Sequence, residues 1–138
     1  MYPKEIVTPM KEELTENGFT ELVTSDDVEA QLAKEGTTLV MINSVCGCAA
    51  GSARPGVLMA LANSTTKPDY LTTSFAGFDI EGVQTLRQHF LPYPPSSPSI
   101  ALFKNGELVH FVERHQIERR SPQTIANHLI SVFQEYCN

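Results

Sequence analysis

An α/β architecture, with a mixed β-sheet flanked by helices on both faces and an N-terminal helical extension, is the fold this sequence predicts. Three observations predict it. Short apolar runs alternate with segments whose apolar residues recur at helical spacing. The run Thr38–Ile42 is continuously apolar, as a strand covered on both sides requires. The last two strand-like runs are joined by Asn105-Gly106, the two-residue hairpin signal, so an alternating βα pattern ends in an antiparallel pair.

Taken in order, residues 4–17 carry Ile6, Val7, Met10 and Leu14 at helical spacing, and Asn17-Gly18 stops the helix. Residues 1–18 are thus an extension to a single domain spanning 1–138. Phe19 to Val23 reads as a short strand. Ser25-Asp26-Asp27 reads as an N-cap with an acidic first turn, opening a helix to about Glu35 that buries Val28, Leu32 and Ala33. Gly36 ends it before the buried strand. Val57, Leu58, Ala60, Leu61 and Ala62 predict a helix to about Ser64, with Pro55 in its first turn or at a kink. Lys67-Pro68-Asp69 is a turn, Tyr70 to Phe75 a strand and Ile80 to Phe90 an amphipathic helix. Leu91 to Pro98, with four prolines, is a rigid helix-free connection. Ser99 to Lys104 and Leu108 to Val112 are the hairpin strands. Ser121-Pro122 opens a final helix with Ile125, Leu129, Val132 and Phe133 inward. The order is β-α-β-α-β-β-α behind an N-terminal helical segment.

A chain of 138 residues, 41% hydrophobic and 19% charged, buries enough surface to fold without disulfide staples. The net charge of -6 argues against nucleic acid as a partner. The single basic cluster, Arg114 through Arg120, is interrupted by Glu113 at its edge and Glu118 within it, and reads as a solvated face. No apolar run approaches the ~20 residues of a membrane helix. The first residues lack an apolar core of signal-peptide length, so a cytoplasmic setting is expected. In that reducing compartment closely spaced cysteines are redox-active or metal-binding more often than structural.

The chemistry concentrates in Asn43-Ser44-Val45-Cys46-Gly47-Cys48-Ala49-Ala50-Gly51, where the buried strand gives way to small residues that can open a helix. A cysteine at such a turn faces free backbone N–H groups and the positive end of the helix dipole, which favour thiolate. Cys46, nearer the strand end, is the expected exposed nucleophile, and Cys48 the resolving thiol. Gly47 is expected to supply unusual dihedrals and room for a substrate. A one-residue spacer closes a tight ring, so the disulfide is expected to be strained and comparatively oxidising. A second element is Pro98, which opens a strand before the hairpin. A cis proline there would leave the Ser97 carbonyl and N–H free to pair with an extended substrate chain.

These two segments together resemble the thioredoxin-like superfamily, and Val45 to Gly51 more closely resembles the bacilliredoxins. The resemblance covers nearly the whole chain, including Pro9-Met10-Lys11-Glu12-Glu13-Leu14 and the Ser-Pro-rich loop before Pro98. It implies a cytoplasmic, bacterial thiol–disulfide oxidoreductase that removes bacillithiol from mixed disulfides on proteins. No cofactor is bound; bacillithiol or another low-molecular-weight thiol is the co-substrate. Weak disulfide reductase or isomerase activity would be secondary. The resemblance implies that Cys46 takes over the bacillithiol, that Cys48 or a second bacillithiol releases it, and that Ser97 and Pro98 contact the substrate backbone. The spacer is shorter than in ordinary thioredoxins, no tryptophan precedes Cys46, and Val40 stands where their buried acid falls.

Rival readings are defined by the same residues. Cys46 and Cys48 could be two small buried residues, or half of a zinc or iron–sulfur site in a non-catalytic sensing module, although four ligands are usual and no others have a recognisable spacing. Cys137, next to the end of the sequence, reads as incidental. Pro98 could be a trans proline starting an edge strand. His89, His110, His115 and His128 read as surface or partly buried residues, because thiol exchange needs no separate base once the attacking sulfur is ionised.

Overall fold

The computed structural model describes residues 1–138. Its centre is a five-stranded sheet of β1 (Thr20–Glu21), β2 (Thr37–Asn43), β3 (Tyr70–Phe75), β4 (Ser99–Lys104) and β5 (Glu107–Val112), in the order β1-β3-β2-β4-β5. β1, β3 and β2 run parallel, β4 is antiparallel to β2, and β5 returns antiparallel to β4. The helices are α1 (Lys4–Thr15), α2 (Ser25–Leu32), α3 (Arg54–Asn63), α4 (Ile80–His89) and α5 (Pro122–Tyr136). None is long and apolar enough to cross a membrane.

Every residue of β2 is buried, and the strand period of two divides its side chains between two cores. Leu39 and Met41 join Leu14, Val57, Leu129 and Phe133 under α1, α3 and α5. Val40 and Ile42 join Val28, Leu86, Phe90 and Phe103 under α2 and α4. Each such side chain contributes roughly 1.5–3 kcal/mol by leaving water, so β2 is anchored from both faces. Its carboxyl end, where the cysteines follow, inherits that rigidity.

The expected elements are present, and the differences have local causes. The α2 cap is Thr24, one residue earlier than expected. Its Oγ1 accepts from the Asp27 N–H, while Asp27 Oδ2 accepts from the Val23 and Thr24 N–H groups, a reciprocal box that Ser25 could not form. α2 stops at Leu32, short of Glu35. β1 is only two residues long. Ile6 faces outward at 50% exposure, and Val7 and Leu14 alone are buried from α1. The hairpin turn places Asn105 and Gly106 at φ 52° and 83°, the left-handed pair that an Asn-Gly sequence accommodates.

The largest addition lies between β2 and α3. The chain is already helical at Gly47 and Cys48, widens into a π turn over Ala49–Ala53, and continues as α3. Pro55 explains the widening. It has no N–H to donate, and its ring would collide with the Gly51 carbonyl in a regular helix; a π turn moves that carbonyl aside. Pro55 therefore sits in the first turn of α3, and the helix it belongs to begins eight residues earlier, at the cysteines.

α3 crosses α5 closely at Gly56. A Cβ there would lie 2.7 Å from both Cβ and Cγ2 of Ile125 and 3.2 Å from the Pro122 carbonyl. Ile125 is stiff at χ1 and the Pro122 carbonyl is backbone, so neither yields easily. Gly56→Ala is therefore expected to lower the urea midpoint, because overpacking costs about 1–3 kcal/mol against a gain of at most ~1 kcal/mol in helix propensity. An unchanged midpoint would mean the two helices separate without cost.

Candidate active site

The site starts from Asn43, the last residue of β2 and 1% exposed. Its Nδ2 donates to the Met10 carbonyl of α1, and its Oδ1 accepts from the Ser44 N–H at 2.8 Å and from Arg54 Nη1 at 2.8 Å. Arg54 Nη1 also donates to the Ser44 carbonyl at 2.9 Å. Ser44 Oγ in turn accepts from the Cys46 N–H at 3.0 Å. A chain of hydrogen bonds thus runs from a guanidinium to the backbone of the first cysteine. Arg54 is only 2% exposed, and its Nε lies 3.0 Å from Glu13 Oε2, an ionic contact whose N–H is not aligned as a hydrogen bond.

The two sulfurs lie 2.8 Å apart, within hydrogen-bond reach of each other. Their surroundings differ. Both are half-buried, but Cys48 packs against the apolar core under α3 and α5, and Cys46 does not. Burial pushes the Cys48 thiol up, and its hydrogen bond to Cys46 and the charge of that neighbour push it further. The Cys46 thiol is held below its ordinary value, chiefly by the hydrogen bond from Cys48, then by the Cys48 backbone N–H, 3.4 Å from Sγ, and by the charge of Arg114. Cys46 is the easier sulfur to ionise. The helix start contributes through that N–H, as the sequence suggests, but the neighbouring thiol has the larger effect.

Gly47 differs from its expected role. It is exposed and helical, its φ is not in the left-handed region, and a Cβ there would meet nothing within 4 Å. What it provides is open space beside the sulfurs, without any special dihedral.

Ser97 and Pro98 reach the site from the other side. The Ser97–Pro98 bond is cis, as is Leu91–Pro92, and Pro98 is buried. The Ser97 carbonyl, expected to be free, accepts from Arg114 Nη1 at 3.2 Å. Arg114 Nη2 donates to Cys46 Sγ, also at 3.2 Å, and its Nε to Glu118. The solvated-face reading of Arg114 is therefore overturned: this cation bridges the proline loop and the sulfur. It stands in a 3-10 turn, Arg114–Gln116, held by Gln116 Oε1 accepting from the Glu113 N–H and by the fully buried Ile117. Sequence reasoning weighed Arg114 without foreseeing its contact with the sulfur, and did not consider Arg54. The signal for Arg114 was available in the topology, since the antiparallel return of β5 ends at the same edge of the sheet as β2.

The remaining candidates lie elsewhere. Cys137 packs on the core beside Thr37, at the start of β2 and so at the far end of the strand from Cys46; it is held in place by its N–H to the Phe133 carbonyl, unlike a frayed end. His110 and His128 pair across β5 and α5 with their Nε2 atoms 2.8 Å apart, while His89 and His115 meet Glu29 and Glu113. None touches a sulfur. No three His, Cys, Asp or Glu side chains converge closely enough to hold a metal ion.

Comparison with known proteins bears on the family and the fold. A family described as Disulphide isomerase matches residues 2–137. A bacilliredoxin of Cytophaga hutchinsonii is 58% identical over 135 residues, which cover 98% of this chain and 99% of that protein. A bacilliredoxin of Geobacillus kaustophilus is 48% identical over 137 residues, covering 99% and 94%. Among solved structures, a mutant thioredoxin of Halobacterium salinarum superposes with a TM-score of 0.57 at 18% identity, covering 86% of this chain and 89% of that one. Mitochondrial thioredoxin 3 of Saccharomyces cerevisiae gives 0.57 at 11% identity, covering 86% and 96%. At such identities the likeness establishes the fold alone.

The Arg54 clamp has a measurable consequence. Arg54→Met keeps most of the volume but leaves the Ser44 carbonyl without this donor, at a cost of about 1–3 kcal/mol for a buried unmet group. Lower stability in urea and a changed alkylation rate at Cys46 are expected. Stability equal to wild type would mean that desolvation of the guanidinium cancels its hydrogen bonds.

Proposed function

We propose that this chain, which belongs to the bacilliredoxin family of thioredoxin-fold thiol oxidoreductases, removes bacillithiol from mixed disulfides on cytoplasmic proteins, with Cys46 as the attacking sulfur and Cys48 as the resolving one. The observation that carries this reading is the asymmetry of the pair: one thiol is lowered by its neighbour and by Arg114, 3.2 Å away, and the other is raised and packed against the core. Thiol exchange requires that asymmetry, because the attacking sulfur must be thiolate while the second waits protonated.

The sequence of steps follows from the sulfurs. The Cys46 thiolate attacks the bacillithiol sulfur of the mixed disulfide; one S–S bond forms, one breaks, and the protein thiolate leaves and takes up a proton. Cys48 then loses its proton and attacks Cys46 Sγ, closing the Cys46–Cys48 disulfide and releasing bacillithiol. A second bacillithiol at the same sulfur would instead release the oxidised small thiol and restore Cys46. Removing the Cys46 charge takes away the part that this neighbour adds to burial in raising Cys48, so the first step itself eases ionisation of the resolving thiol. Val40, fully buried in β2, supplies no acid for proton transfer, consistent with simple exchange and with disulfide reduction or isomerisation as a minor activity.

The test is to mix reduced wild type and Cys48→Ala with a bacillithiolated protein and follow intact mass. Cys46→Ser should be inert. Cys48→Ala should keep one bacillithiol on Cys46, and wild type should pass to the disulfide. A target that stays modified with all three chains would defeat the assignment.

The pH dependence has a definite sign. Cys46 is below the ordinary thiol value of about 8.5 principally because Cys48 donates to it. The midpoint of its alkylation rate with pH should therefore lie below that value in wild type and move upward in Cys48→Ala. The trapped adduct would then form more slowly near neutral pH while lasting longer. A midpoint unmoved by Cys48→Ala would remove the thiol pair as the cause.

A further inference from the structure

An extended peptide that docks beside a cis-proline loop needs a free backbone acceptor, and in this protein Arg114 occupies it. The guanidinium uses all three of its nitrogens: Nη1 on the Ser97 carbonyl at 3.2 Å, Nη2 on Cys46 Sγ at 3.2 Å, and Nε on Glu118. Its own N–H approaches Ser96 Oγ at 3.4 Å, and Ser99 Oγ holds the Ser96 carbonyl at 3.0 Å. The 3-10 turn and the proline loop are therefore tied together at two levels, side chain and backbone. Gly47, between the two cysteines, has nothing within 4 Å of where a side chain would begin. Arg114 thus crowds Cys46 at the proline loop, while Gly47 adds no bulk beside it.

We propose that Arg114 is a specificity-determining residue: by spanning Cys46 Sγ and the Ser97 carbonyl it takes one of that carbonyl's two lone pairs and sets its guanidinium where an extended peptide would pair, so that Cys46 takes the small half of a mixed disulfide and releases the polypeptide half. This rests on the exchange chemistry proposed above, but not on which small thiol is carried. A planar fork is needed for such a bridge; a lysine places one compact charge and reaches only one of the two partners at a time. Glu118 fixes the third edge and keeps the fork in plane.

The reaction that reads this out uses a short unstructured peptide whose single cysteine is disulfide-bonded to mercaptoethanol. Thiolate attack on one sulfur gives Cys46–S–S–mercaptoethanol and free peptide thiol; attack on the other gives Cys46–S–S–peptide and free mercaptoethanol. Both products balance, and intact mass spectrometry separates them. With Cys48→Ala as the parent chain, so that neither adduct is resolved, the small adduct should dominate. Adding Arg114→Ala should shift the ratio toward the peptide adduct by about three- to tenfold, the range expected for freeing one hydrogen-bond acceptor. Arg114→Lys should retain more of the alkylation rate at Cys46 than Arg114→Ala yet shift the ratio nearly as far. The leaving groups are the same for every chain, so a change in ratio reports docking and not sulfur reactivity. A ratio unchanged in Arg114→Ala, or a Lys variant that partitions as the parent does, would overturn the proposal. Because the probe contains no bacillithiol, failure here is distinct from failure of the bacillithiol assignment, which the bacillithiolated target alone decides.

Discussion

The position of the first cysteine depends on one buried cation. Arg54 lies beneath the turn that follows β2 and donates to both Asn43 Oδ1 and the Ser44 carbonyl. Asn43 passes the constraint to the Ser44 N–H, and Ser44 Oγ passes it to the Cys46 N–H. Hydrogen bonds in series inside a poorly solvated region strengthen one another, so the loop is held in place as a unit. Without that cation the turn after the strand would lose two of the hydrogen bonds that hold it, those to Asn43 Oδ1 and to the Ser44 carbonyl.

A second cation acts on the same turn from outside. Arg54 sets where Cys46 stands; Arg114, almost half exposed, bears on what its sulfur does. The division follows from dielectric. A buried guanidinium costs desolvation and is tolerable only when held by polar and ionic partners, which makes it a good clamp. An exposed one is cheaper to hold and to release, which suits a group that meets a changing partner. The thiolate charge exists only in the reduced protein, so the Arg114–Cys46 contact is strongest there, and the Ser97 and Glu118 contacts remain when that charge is gone.

The π turn joins these features to the fold. A regular helix from Gly47 through Pro55 would drive the proline ring into the Gly51 carbonyl. The wider turn of Ala49–Ala53 resolves the collision and leaves Ser52 buried, with its Oγ donating to the Arg120 carbonyl in the segment before α5. The helix that starts at the cysteines is thereby fastened to the same connection that carries Arg114. Gly56, one residue past the proline, then allows α3 to meet α5 at Ile125.

Much of this protein was legible in the amino-acid order. The strands at Tyr70–Phe75 and Ser99–Lys104, the Asn105-Gly106 turn and the Ser121-capped α5 are set by near neighbours, through side-chain period, left-handed turn residues and a cap three residues from its partner. Cys46 and Cys48 were legible for the same reason: two residues apart, they meet without help from the fold. The Thr24 cap was misplaced and the π turn of Ala49–Ala53 was not foreseen, because Asp27 and Pro55 act through backbone geometry that composition does not display. The contacts of Arg114 with Cys46 and with the Ser97 carbonyl were beyond reach. Arg114 lies 68 positions from Cys46 along the chain, and only the antiparallel return of β4 and β5 brings its turn to the end of β2 where the sulfur stands. The sequence by itself determined the elements and the reactive pair, because those depend on contacts within a few residues. Tertiary structure alone decided which cation meets the thiolate and which backbone carbonyl that cation occupies, because both depend on strand order and direction.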